Sequence, residues 1–142
     1  MTRLADQALE LQRAVHAAIT SDTALQNLMG SAGPDGGVVR AYDDVPPDPV
    51  FPYLTYGRIR SQDSSGDDAD QSSHQITLHI WSRETSRSEA LALTAAVEAA
   101  VAAMPHRSVT LYTDIFRAPD GRTRHAVLRL SVIMLNTEGA SQ

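Results

Sequence analysis

The chain has 142 residues, 42% of them hydrophobic, enough for one domain with its own core. It has no cysteine, which excludes disulfides, thiolate metal sites and a cysteine nucleophile. A net charge of −5 without any basic run, together with 5% aromatic residues, argues against sequence-driven binding of DNA or RNA.

No apolar run approaches the roughly 20 residues that cross a bilayer, so no membrane association is expected. Met1–Asp6 lacks the continuous apolar segment of a signal peptide. Freedom from cysteine fits a reducing cytoplasm. Leu4, Ala8, Leu11, Val15, Ala18 and Ile19 recur at helical spacing and predict an amphipathic helix over 3–20. Ser21 or Asp22 can cap a short helix, Thr23 to Met29, with Leu25, Leu28 and Met29 on its buried side. Gly30 stops it, and the Gly33–Gly37 segment reads as a loop.

Val38–Tyr42 reads as a short strand. Pro46, Pro47 and Pro49 make the next stretch an extended connector, and Phe51–Ile59 reads as a strand with Pro52 near a sheet edge. Residues 60–72 are polar and acidic without periodicity, and are expected to form a long mobile loop. Ser73–Met104 is the organising unit. Ile76, Leu78 and Ile80 alternate with Gln75, Thr77, His79 and Trp81, as in a strand with one apolar face. The spacing then turns helical: Ser86-Arg87-Ser88-Glu89 fits a capping box, Leu91, Thr94, Val97 (or Glu98) and Val101 form a stripe, and Pro105 ends the helix. Val109–Phe116 is a strand, Ala118–Arg122 a hairpin turn, and Thr123–Leu135 the last and longest strand. Residues 137–142 are expected to fray.

This order predicts an α+β fold over 1–142, a mostly antiparallel sheet of four to five strands with two main helices on one face. Leu11, Val15, Ile76, Leu78, Ile80, Leu91, Val101, Leu128, Leu130 and Val132 are expected to share the core. Each larger side chain would contribute about 1.5–3 kcal/mol by burial.

No catalytic constellation emerges. The histidines show no metal-binding spacing, although His79 and His125 can meet if their strands pair. Asp63, Asp67, Asp68 and Asp70 do not follow a calcium-loop pattern and read as a solvated or partner-contacting loop. Gly33–Gly37 lacks the Lys-Ser/Thr of a phosphate loop. No enzyme activity, metal or cofactor is expected. The unusual feature is the sheet face opposite the core, where Gln75, Thr77, His79, Trp81, Arg129 and Ile133 mix polar and large apolar groups. Such mixtures mark association surfaces.

The chain resembles the tail-terminator (tail-completion) proteins of long-tailed, non-contractile bacteriophages and gene transfer agents. The likeness is carried by Leu11–Val15 with Asp22 and Leu25, by Val39–Asp44 leading into Pro46-Pro47, and by Phe51–Leu54 with Gly57. Ile76–Ser82, Ser88-Glu89-Ala90 and Arg124–Val132 continue it, so that it spans roughly 9–134. The resemblance implies a non-enzymatic ring, typically hexameric, that caps the head-proximal end of the tail tube and stops its growth. It implies a head connector or neck protein docked above and DNA passing through the channel without specific binding. The 60–72 loop would then meet the tube, and the mixed sheet face would meet neighbouring subunits. A small ligand-binding or enzymatic α+β domain, or a neighbouring head-completion protein, is the alternative.

Overall fold

The computed structural model describes residues 3–30, 38–67 and 70–136. The expected Gly33–Gly37 loop, Asp68 and the 137–142 tail lie outside them. Among the described residues the order is α1 (Leu4–Thr20), α2 (Thr23–Gly30), β1 (Ala41–Tyr42), β2 (Tyr53–Asp63), β3 (Gln71–Ser82), α3 (Ser88–Ala102), β4 (Arg107–Arg117) and β5 (Arg124–Leu135). The strands form one sheet in the order β1-β2-β3-β5-β4. Every pairing is antiparallel except β1 with β2. This is the expected α+β architecture.

The core lies between one sheet face and the helices. Leu11, Val15 and Ile19 of α1 meet Ile76, Leu78 and Ile80 of β3, Leu93, Val97 and Val101 of α3, and Ala126, Leu128, Leu130 and Val132 of β5. The period-2 reading of β3 and β5 therefore chose the right face. Asp22 caps α2, its Oδ2 accepting the Leu25 N–H at 3.0 Å. The β4–β5 hairpin turns through Gly121 at φ 74°, a conformation that favours glycine. Asp120 accepts from the backbone of Arg122 and Thr123 there.

Several expectations need correction. Leu91 is 54% exposed, and Ala90, Leu93 and Ala100 take the core side of α3. Thr94, Val97 and Val101 lie on the core side as expected; in an alanine-rich helix with little amphipathic contrast, Leu91 alone of that stripe faces outward. The capping box forms only in half. Its serine arm is present, Ser86 Oγ accepting the Ser88 N–H at 3.2 Å, but Glu89 does not reach back and instead accepts from Ser82 Oγ at 2.6 Å. Leu28 and Leu4 lie at the surface, at 36% and 37% exposure. The Val38–Tyr42 strand shrinks to two residues, and the Arg40 side chain just before it donates to the carbonyls of Met29, Val50 and Pro52.

The 60–72 stretch also differs. β2 runs on to Asp63 and β3 starts at Gln71, so most of the expected loop is strand. The extra pairs are polar, Arg60 with Gln75 through Asp63 with Ser72, and are held by backbone ladder bonds that apolar periodicity does not reveal. The inner side of this extension carries a buried polar chain. His74, with no exposed surface, is 2.6 Å from Ser61 Oγ and 3.2 Å from Gln7 Oε1. Because the amide oxygen can only accept, His74 donates from Nε2 and accepts the Ser61 hydroxyl at Nδ1. Ser72 Oγ also donates to Gln7 Oε1.

Candidate functional site: the outer sheet face

β-Strand register brings rings from four strands into one row across the outer face. Tyr53 of β2 pairs with Trp81 of β3, Trp81 with His125 of β5, and His125 with Phe116 of β4. The centres of Trp81 and His125 are 3.8 Å apart, those of His125 and Phe116 4.7 Å, and those of Tyr53 and Trp81 6.3 Å. Phe51 extends the row beyond Tyr53 at 4.9 Å and carries the Arg83 guanidinium 4.3 Å above its ring. Cross-strand aromatic pairs of this kind contribute about 0.5–1.5 kcal/mol each beyond area burial.

The next row holds His79. Its Nδ1 lies 2.8 Å from His125 Nε2, so the two rings share one hydrogen. Burial lowers the pKa of both; at His125 the neighbouring His79 lowers it further, and Asp114 opposes the shift. Trp81 Nε1 donates to Thr55 Oγ1 at 3.0 Å, which anchors the indole over β2. Gly57 lies at a bulge in β2, and a Cβ there would sit 2.6 Å from His79 Nε2. The absence of a side chain at Gly57 is what lets His79 lie flat toward β2.

Of the six residues expected to share this face, Gln75, Thr77, His79, Trp81, Arg129 and Ile133 all do so by strand register. The structure brings Thr77 and Arg129 together at 3.2 Å. It adds Tyr53, Phe116, Tyr112, Arg58 and Arg60, which no single-strand pattern points to. At the β4 end of the face Val109, Tyr112 and Phe116 are 53%, 42% and 41% exposed. An isolated core hides such groups, whereas an association surface presents them.

The acidic residues gather at the end of the β2–β3 hairpin. Asp63 Oδ1 accepts from Ser65 Oγ at 2.7 Å, and Asp70 Oδ1 from Ser65 Oγ at 2.9 Å and from Asn136 Nδ2 at 2.7 Å. The Asn136 and Ser65 bonds hold the Asp70 carboxyl below its ordinary range. Asp67 is exposed in the same turn. The turn is thus a braced platform of carboxylates.

A helix-backed antiparallel sheet with one dry and one mixed face makes this a small α+β domain. The family model described as tail completion protein gp17 matches residues 13–135, from mid-α1 to the last residue of β5. The chain belongs to this tail-completion family. It is also similar in fold to a chain from a structure of the virion of a native gene transfer agent particle. That likeness has a TM-score of 0.69 at 24% identity, covering 88% of this chain and 94% of the other. No curated protein matches the chain.

Proposed function

We propose that this protein is a ring-forming subunit that completes a phage-type tail. The ring caps the head-proximal end of the tail tube, ends its polymerisation and gives the head connector or neck protein a surface to dock on. The observation that carries the reading is the match of residues 13–135 to the tail-completion family. The outer sheet face supports it, since a ring subunit must bury one patch against a different patch of its neighbour. The aromatic row with its exposed rim at Val109, Tyr112 and Phe116 has the composition of such a patch. The net charge of −5 suits a channel that lets DNA slide through without adhering. On this reading the role is geometric and needs no catalysis or cofactor. The subunit is made in the host cytoplasm and ends at the neck of the particle.

Electron microscopy of particles made without this chain tests the proposal. The expected result is free heads together with tubes of uncontrolled length, and restoration of joined particles when the chain is supplied. Normal joined tails of fixed length in its absence would refute it.

A further inference from the structure

Beside the aromatic row the outer face carries a cluster of positive charge. Arg58 and Arg60 of β2 and Arg129 of β5 line a cleft floored by Gln75 and Thr77 of β3. Arg129 is held in place, its Nε donating to Thr77 Oγ1 at 3.2 Å and its guanidinium carbon 5.1 Å from the Tyr112 ring centre. Among the described residues the ion pair is Arg83 with Asp120, and no carboxylate lies within 4.0 Å of these three arginines. Guanidinium, amide and hydroxyl groups converge as donors, and three like charges in one cleft repel until an anion joins them. The arrangement is a socket for an oxyanion, which arginine grips in bidentate fashion.

The chain carries the matching group at the end of the β2–β3 hairpin. Asp67 is exposed there, and beside it Ser65 Oγ accepts the Gln71 N–H and shares its one hydrogen between the Asp63 and Asp70 carboxylates. We propose that the Arg58–Arg60–Arg129 cleft of one copy receives the acidic turn of a second copy, with Asp67 as the inserted carboxylate. The inference rests on the ring reading above and directs the turn to a neighbouring subunit instead of the tube. A face meeting a hairpin tip is a contact between unlike patches, and its repetition closes a ring. Charge complementarity selects a protein carboxylate over a nucleic-acid phosphate. Duplex binding draws on an extended basic surface, whereas here three cations gather on a chain of net charge −5.

The freedom from cysteine makes a direct test simple. A Cβ at Gly66 meets nothing within 4 Å, and Gln75 lines the cleft, so Gly66→Cys with Gln75→Cys leaves all three arginines and Asp67 intact. Assembled particles carrying the double variant are oxidised and run on a non-reducing gel. The expected result is a ladder of disulfide-linked multimers of this chain, absent from either single variant and collapsed by reductant. Particles that contain the double variant but yield monomer alone would overturn the inference while leaving the ring reading intact. Absence of the chain from wild-type particles would sink the ring reading itself. A charge exchange covers the case in which the cysteines block assembly. Asp67→Arg and Arg60→Asp should each cut particle yield by on the order of tenfold, as like charges brought together at an interface do, and the combined variant should restore it. A harmful Arg60→Asp beside a neutral Asp67→Arg would point to a phosphate ligand and refute the proposal.

Discussion

The indole of Trp81 lies on the imidazole of His125, with ring centres 3.8 Å apart and planes 18° from parallel. His79 holds the far side of the same imidazole through a 2.8 Å contact. Trp81 is the only tryptophan in the chain, so its emission reads the charge on His125. Burial and the neighbouring His79 lower the His125 pKa. The emission should therefore titrate with a midpoint below the usual histidine value of about 6.5, and His125→Gln should abolish the step. A midpoint above that value would show that the stacked pair is not held neutral.

Gly57→Ala tests the support beneath this pair. The new methyl group would enter the space of His79 Nε2 at 2.6 Å and face the Thr77 carbonyl at 3.1 Å. Overpacking of this kind costs about 1–3 kcal/mol. The expected result is a lower denaturant midpoint at unchanged slope, together with loss of the Trp81 titration. Unaltered values for both would mean that the glycine is not what seats His79.

The buried His74 makes stability depend on pH. Burial and nearby His106 lower its pKa in the folded chain, and the unfolded chain titrates near 6.5. Below pH 6.5 the unfolded state therefore binds more protons, and stability falls as the pH drops toward the folded value. His79 and His125 shift in the same direction and add to the effect. Each histidine contributes a slope of at most about 1.4 kcal/mol per pH unit. Chemical denaturation at pH 7 and pH 5 should give a clearly lower stability at pH 5, with a shallower slope in His74→Gln. Equal stability at both pH values would exclude a neutral, buried His74.

Leu128 and Leu91 separate core from surface. Leu128 has no exposed area and lies in the core cluster, whereas Leu91 is 54% exposed. Leu128→Ala should cost about 2–5 kcal/mol, and Leu91→Ala should stay within about 0.5 kcal/mol. Thermal or denaturant melts of the two variants decide it, and comparable losses would contradict the helix orientation described above.

Leu91 also shows where sequence reading reaches its limit. In β3 and β5 the alternation of large apolar with polar side chains is strong, and Ile76, Leu78, Ile80, Leu128 and Leu130 announce their own face. In α3, alanines surround the few large residues, so several faces are equally plausible and only packing against the sheet decides. The hairpin end from Arg60 to Ser72 hides for another reason. Backbone ladder bonds and a serine-braced turn hold it, and polar side chains carry no signature of these. The outer-face residues of β3 were legible from alternation alone. The row Tyr53–Trp81–His125–Phe116 was not, because it exists only once four strands take their register. The approach of His79 to His125 could be anticipated, since it needed one strand pairing and not three.

Gln7 and Asn136 stand 129 positions apart in the chain, yet their side chains meet at 2.9 Å. The first helix and the end of the last strand are therefore fastened at one place. A short linker joining the two ends, with the backbone opened instead at the 118–123 hairpin, would retain the buried contacts between them. The order in which the elements are threaded is separable from the way they pack, and a circularly permuted chain should reach the same fold.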